Sequence, residues 1–477
     1  MDTLSIAVFA FTYLGMALGR VPGLKLDRAG IALLGVVVLL GSGRLEVREL
    51  GGPVDVPTLL LLFALMIVSA QFQTAGVYRA VAARVAAAPG SADRLLLLTV
   101  LVSGLLSAVL ANDVVCFAMT PIVVEGIRRR GLDARPFALA IAGAANAGSA
   151  MTVIGNPQNI LIGQLGALDF WHFLAACGVP GLLSLALVWL SIRWVWRREL
   201  AHRPEPLPPA PLPRPDRWQT VKGVAAVVAL VLLFATPLPR EVGALVIAGL
   251  LLTSRRLSSR EMIGTVDWHL LLLFACLFIV TDTFANTGLA QAGVDRLAEM
   301  GLFPDRLAVM APLMLAASNT IGNVPAVMLI LSVWPTPDPG ALYGLALLST
   351  LAGNLLLLGS LANIITAERA AAAGVRVSFL DFARAGVPMT LATMGVASAW
   401  LWGLGWLGWG VSAAAPPPYR PPRRRAGRAV ASGRRWSPAR SGAPSRHPAR
   451  RPAAPRSWSA GTTAATPPPP PWNRSFR

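Results

Sequence analysis

Four short runs of small polar residues interrupt long apolar stretches of this 477-residue sequence: Ala111-Asn112-Asp113, Asn146 to Asn159 (NAGSAMTVIGNPQN), Ser318 to Pro325 (SNTIGNVP) and Gly353 to Asn363 (GNLLLLGSLAN). Asn, Ser and Thr supply neutral donors and acceptors, while Gly and Pro break a helix and free its backbone groups. In hydrocarbon, freed groups must line a cavity or pack against protein. Free N–H groups at one broken end attract an anion through roughly half a unit of positive charge. Free carbonyls at the other end coordinate Na⁺ or accept from proton donors. The candidate substrate- and ion-binding residues are therefore Asn112, Asp113, Asn146, Gly148, Ser149, Thr152, Gly155, Asn156 and Asn159, with Ser318, Asn319, Asn323, Asn354, Gly359, Ser360 and Asn363 opposite them. Asp113 is the one acidic residue in the four runs. A carboxylate at mid-membrane costs about 2.5–3.5 kcal/mol on insertion scales, which marks it as a coupling-ion ligand or proton carrier. The plainer alternative is a hydrogen-bonded Asp that holds a hairpin tip. Asp282, near the end of its own apolar stretch, is balanced evenly between the two readings.

Enzymatic chemistry is poorly served. The sequence has no HExxH, no Gly-rich phosphate loop with Lys, and four scattered histidines, His172, His202, His269 and His447. No spacing suggests a Ser–His or paired-Asp site. An ATP-driven pump and an intramembrane enzyme are disfavoured. A channel fits the composition but leaves the matched polar breaks unexplained. No cofactor or metal is expected beyond a coupling Na⁺ or H⁺.

The elements that must position these residues are membrane spans. The sequence is 55% hydrophobic and 14% charged, with mean hydropathy +0.59, against about a quarter charged in soluble domains. Six apolar blocks fall in each half: 3–19, 29–42, 56–76, 93–127, 137–167 and 171–192, then 221–235, 241–254, 266–288, 304–333, 341–366 and 386–411. A crossing needs roughly 20 residues, so the short and overlong blocks predict tilted or broken helices. The first block lacks a preceding basic stretch and a cleavage site, and reads as a retained helix. Cys116, Cys177 and Cys276 lie inside apolar blocks and read as packing residues. The net charge of +19 includes fourteen arginines from Ser412 onward, which leaves +5 for the rest. That Arg/Pro-rich tail cannot bury enough apolar surface to fold, so it reads as disordered and without assigned function.

The halves repeat. LDRAGIALLGVVVLLGSGRLEVREL from Leu26 returns as LPREVGALVIAGLLLTSRRLSSREM from Leu238, and LLLLFA from Leu59 returns at Leu270. At nearly the same separation Asn112 meets Asn323, and Gly155-Asn-Pro-Gln-Asn159 meets Gly359-Ser-Leu-Ala-Asn363. Four matches in one order define two repeats, 1–192 and 221–411, a Pro-rich linker at 193–220 and a tail at 412–477. Basic residues put the linker and the loops at Arg128 and Arg255 in the cytoplasm, if 93–127 is a hairpin entering and leaving on one side. Arg20, Lys25 and Arg28 then fall inside too, while the tail falls outside. Five crossings plus a hairpin per half invert the second repeat against the first. The expected fold is an all-α polytopic membrane protein of two inverted repeats, each with about five spans, a re-entrant hairpin and a broken helix, its binding site at mid-membrane.

The segments ANDVVCFAMTPIVV, NAGSAMTVIGNPQNILIG, SNTIGNVPAVMLIL and GNLLLLGSLANII resemble the paired signatures of the ion transporter superfamily. Within it the chain is most similar to citrate-transporter-like and arsenite-efflux permeases, with divalent-anion/sodium symporters more distant. The resemblance covers residues 1–411. It implies secondary transport of a small anion or oxyanion, carboxylate or arsenite-like, driven by Na⁺ or H⁺ through an elevator-like motion. Ser318-Asn319-Thr320 matches the symporters' hairpin tip, whereas Ala111-Asn112-Asp113 resembles the arsenite permeases. The alternative within the superfamily is Na⁺/H⁺ antiport, against which Gly322-Asn323 stands where antiporters often carry Asp-Asn. Expected partners are a small anionic substrate, the lipid bilayer of a bacterial inner membrane and a second copy in a homodimer, with no nucleic acid.

Overall fold

The repeat in the sequence is a repeat of helices. A computed structural model describes residues 3–19, 25–206, 211–234, 236, 238–254, 257–334 and 337–408. The first half runs through α1 (Thr3–Leu18), α2 (Arg28–Gly41), α3 (Val56–Thr74), α4 (Val77–Ala87), α5 (Ala92–Val109), α6 (Asn112–Arg128), α7 (Arg135–Ser149), α8 (Pro157–Leu165) and α9 (Phe170–Val195). The second runs through α10 (Arg217–Leu233), α11 (Arg240–Leu252), α12 (Ser259–Gly264), α13 (Trp268–Ala285), α14 (Leu289–Glu299), α15 (Leu307–Thr320), α16 (Asn323–Val333), α17 (Pro339–Ala352), α18 (Leu361–Ala372) and α19 (Phe379–Gly403). Only α12 lacks a full helical counterpart; a 3-10 turn, Val47–Glu49, stands in its place. The described residues hold no strand.

Helices α3, α5, α9 and α13 are each long and apolar enough to cross a bilayer. Each overlong block has split as its Gly, Asn and Pro content predicts. Helices α5/α6 and α15/α16 double back at Leu110-Ala111 and Ile321-Gly322, and α7/α8 and α17/α18 are broken helices. Local chemistry fixes the starts: Asp55 caps α3 by accepting Thr58 N–H at 2.8 Å, and Asp267 caps α13 by accepting Leu270 N–H at 3.0 Å. Helices α4 and α14 were not among the apolar blocks. Each starts after a left-handed glycine, Gly76 (φ 74°) and Gly288 (φ 78°), and ends near an arginine. A short helix with one apolar face carries no apolar run long enough to read as a span.

Packing exchanges partners between the halves. Helix α2 lies on α13 as α11 lies on α3, and α6 lies on α18 as α16 lies on α8. Within halves, α5 packs on α7 as α15 packs on α17. Helices α9 and α19 pack on each other, as do α7 and α17, which is where a pseudo-twofold axis passes. Two bundles result, one of α1–α3, α10, α11 and α13, the other of α5–α9 and α15–α19. The broken helices are at the centre: every residue from Pro136 to Ser149 and from Ala341 to Ala352 is buried. Small residues allow this density. A Cβ on Gly148 would stand 2.0 Å from the Gly104 carbonyl oxygen, so α5 and α7 touch backbone to backbone.

The linker is tied at both ends, Glu205 N–H donating to the Arg130 carbonyl (3.0 Å) and Asp216 N–H to that of Ala75 (2.9 Å). All three cysteines are free and buried. The tail at 412–477 lies outside the described residues, as do Arg20, Arg255 and Arg256, which entered the orientation argument.

Candidate functional site

An asparagine at equivalent repeat positions braces each break. Asn159 Nδ2 donates to the carbonyls of Ser149 (3.2 Å) and Thr152 (3.0 Å). Its repeat partner Asn363 donates from Nδ2 to those of Gly353 (2.7 Å) and Leu356 (3.1 Å). These are carbonyls that a broken helix sets free. Gly155 and Gly359 let the two loops fold back tightly: a Cβ on Gly155 would stand 2.3 Å from the Ser149 carbonyl oxygen, and one on Gly359 2.3 Å from Asn319 Oδ1. Thr152 donates its hydroxyl to the Ala108 carbonyl, fastening the first break to the hairpin.

The two breaks are then stitched together. Asn146 Nδ2 donates to Asn354 Oδ1 (2.8 Å) and Asn363 Oδ1 (3.0 Å), and its Oδ1 accepts from Ser360 Oγ (3.0 Å). Asn156 Nδ2 donates to Ser149 Oγ (3.1 Å) and Thr350 Oγ1 (3.2 Å), where Gln158 Nε2 also donates (3.1 Å). All of these side chains are buried. Such a network is rigid, because each member's loss leaves a partner unpaired in a dry interior.

The hairpin tips close on themselves in the same way. Asn112 Oδ1 accepts Asp113 N–H (3.0 Å) and Asn323 Oδ1 accepts Val324 N–H (3.1 Å). Ser318 and Asn319 turn from the centre to brace the second break. Ser318 Oγ donates to the Ser349 carbonyl (3.2 Å), Asn319 Nδ2 to that of Ala352 (2.8 Å), and Asn319 Oδ1 accepts Leu356 N–H (3.2 Å).

A cavity of about 460 Å³ opens between the first hairpin tip, α3 and the start of α13. Asn112, Asp113 and Phe117 of α6, Gly155 to Pro157, Gln73 of α3, and Thr265, Asp267 and His269 around the start of α13 line it. The structure thus divides the expected set. Asn112, Asp113, Gly155 and Asn156 reach the cavity, while Asn146, Ser149, Asn159, Asn354, Ser360 and Asn363 form the buried stitching behind it. Ser318, Asn319 and Asn323 lie off it. Among the described lining residues there are two carboxylates and an imidazole, and no Lys or Arg. Arg369 stands against the Phe117 ring, 3.3 Å from its centroid, without joining the lining. Asp282 is also away from the cavity and accepts from Asn286 Nδ2 (3.0 Å).

The two sides of the protein differ. Helix α16 packs on α13, but the cavity occupies the space between its counterpart α6 and α3. A second hollow, about 640 Å³, lies at the α8–α9 corner and the α10–α11 turn and holds Asp55, the repeat counterpart of Asp267.

Sequence reasoning passed over Asp267 and His269, the latter set aside as one of four scattered histidines. Asp267 had one available signal, its match to the helix-capping Asp55 just before the repeated LLLLFA. Thr350 also carried a signal, since it falls opposite Asn146 at the separation that relates Asn159 to Asn363.

Comparison with known proteins follows the same lines. Residues 13–341 match the family described as citrate transporter. A 46 kDa membrane protein of Mycobacterium leprae is 28% identical over 424 residues, covering 84% of this chain and 98% of that protein. The silicon efflux transporter LSI3 of Oryza sativa subsp. japonica is also 28% identical, over 79% of this chain and 92% of its own. Among solved structures, the Alcanivorax borkumensis YdaH transporter, described as having an unusual topology, superposes with a TM-score of 0.51 at 15% identity, over 85% of this chain and 98% of that one. The chain is an integral membrane transporter, not an enzyme.

Proposed function

We propose that this chain, which belongs to the citrate transporter family, is a secondary active transporter of a small oxyacid across the bacterial inner membrane, driven by H⁺ or Na⁺. The substrate is arsenite-like in chemistry, a compact hydroxylated acid, not a polycarboxylate. The charge of the cavity lining carries this reading. The N-termini of α6 and α8 supply roughly half a positive charge each. Asn112 and Asn156 already consume one backbone N–H apiece at those ends. Against them stand the carboxyls of Asp113 and Asp267, with no lining Lys or Arg to offset a second or third negative charge. Arg369 is engaged on the Phe117 ring. A multiply charged carboxylate entering this space has nothing to replace its hydration, whereas an uncharged hydroxylated acid finds amide and carboxyl partners for each O–H.

Asn112, Asp113, Gly155 and Asn156 line the substrate space in this reading, and Asp113 couples transport to the cation. The stitched breaks behind them keep the α5–α9/α15–α19 bundle rigid, so that it moves as one body against α3 and α13. The seating of α16 on α13, against the open space at α6, supports a state open on one side. With Arg128 and Arg260 on the cytoplasmic face, that side is the inner one.

A flux screen in proteoliposomes tests the proposal, with arsenite, silicic acid, citrate, succinate and sulfate offered against imposed H⁺ and Na⁺ gradients. The neutral acids should move, and citrate and succinate should not. Gradient-driven citrate or succinate transport with no movement of the neutral acids would refute it.

A further inference from the structure

One cation stands next to the cavity without lining it. Arg369 is in the last turn of α18, and its guanidinium carbon is 3.3 Å from the centroid of the Phe117 ring. That is van der Waals contact with the ring face, where the negative potential of the π-cloud holds a cation. The Phe117 ring in turn lines the cavity, together with Asp113 one turn before it on α6 and Ile365 one turn before Arg369 on α18. Arg128 Nη1 donates to the Ala373 carbonyl (2.7 Å), which ties the ends of α6 and α18 together and keeps ring and guanidinium in register. Among the described residues no carboxylate pairs with Arg369; Glu125 on α6 is taken up by Arg128 and Arg129. The other half dispenses with the pair. At the separations that relate Asn112 to Asn323 and Asn159 to Asn363, Phe117 corresponds to Met328 and Arg369 to Leu165. Helix α16 packs on α8 as α6 packs on α18, so Met and Leu suffice for that contact. A cation within a spanning segment is costly, and here it is found only on the side that carries the cavity.

We infer that Phe117 is a specificity-determining residue: its ring screens Arg369 from the cavity, and a smaller or non-aromatic side chain there turns the same space into a site for oxyanions of the sulfate and dicarboxylate class. A guanidinium matches the paired oxygens of sulfate or carboxylate in a two-pronged hydrogen bond. Beside the N-termini of α6 and α8 it would complete an anion site. With the ring in place the lining presents Asp113 and Asp267 and no cation. The inference rests on the neutral-acid reading of the substrate and assigns the rejection of anions to one side chain.

The test is equilibrium binding of radiolabelled sulfate and succinate to the purified full chain at matched ionic strength, which needs no transport of any substrate. Phe117→Ala should tighten both anions by about tenfold, the scale of one unit charge brought within roughly 6 Å at a partly screened dielectric. Adding Arg369→Gln to Phe117→Ala should return both affinities to the wild-type value. Arg369→Gln with the ring intact should change them less than twofold. Phe117→Leu, close in volume but without a π-face, covers the case in which alanine weakens the fold, and should tighten both anions at least threefold. Unchanged anion affinity in Phe117→Ala and Phe117→Leu would overturn the inference. So would tightening that persists in Phe117→Ala/Arg369→Gln, since added room and not an uncovered cation would then be its cause. A wild type that carries citrate or succinate and leaves the neutral acids behind would overturn the substrate reading, while Arg369-dependent tightening in Phe117→Ala would still stand as the screening of one cation by one ring.

Discussion

Replacing Asp267 with Asn should open the cavity to anions while leaving the helix that carries it intact. Asn caps a helix about as well as Asp, so the bond to Leu270 N–H survives. A ligand centred in a 460 Å³ space stands roughly 6 Å from a wall carboxylate, where two unit charges interact by about 0.7 kcal/mol in water and about 3 kcal/mol at a protein-like dielectric. Asp267 is exposed at the mouth, so the weaker end applies, about 1 kcal/mol per unit charge. Removing it should tighten a monovalent anion about fivefold and a divalent one about thirtyfold, and leave a neutral acid within twofold. The assay is inhibition of arsenite uptake by formate, succinate and sulfate in proteoliposomes at neutral pH. Asp55→Asn is the control, because Asp55 makes the equivalent cap on α3 but lines the other hollow. The reasoning fails if succinate and sulfate inhibit the Asp267→Asn protein no better than wild type, or if Asp55→Asn changes inhibition equally.

Asp113→Asn should retain substrate exchange but lose accumulation against a gradient, because an amide cannot cycle a charge; wild-type accumulation in that variant would take Asp113 out of the coupling. Asn146→Ala removes three buried bonds and strands Asn354 Oδ1, Asn363 Oδ1 and Ser360 Oγ. It should lower stability by about 3–5 kcal/mol, read as loss of melting temperature in detergent, and a loss under about 1 kcal/mol would contradict the stitching. Gly148→Ala places a methyl 2.0 Å from the Gly104 carbonyl oxygen. It should cost about 3 kcal/mol or more by forcing α5 from α7, with expression level and melting as the readout.

The amino-acid sequence by itself determined the spans, the repeat and the places where helices break. A bilayer leaves few options: an apolar stretch of about 20 residues spans as helix, and a polar run within it must be paired or face a cavity. Asn112 and Asn323 accordingly start the two returning helices, and Asn159 and Asn363 brace the two breaks, at the repeat spacing visible in the sequence. The short helices α4 and α14 escaped because a one-faced helix leaves no apolar run to detect. Other features had no local signal at all. That Asp267 and His269 share a cavity with Asp113 depends on where the start of α13 comes to lie against the first hairpin, a contact between segments more than a hundred residues apart. The retreat of Ser318 and Asn319 into bracing, and the bond that Asn146 gives to Asn363 while Thr350 gives none to Asn159, are asymmetries between sequences that read as equivalent. Repeats fix which residues correspond, but the side chain that reaches across an interface is set by its length and its neighbours' positions, and those exist only once the halves are packed.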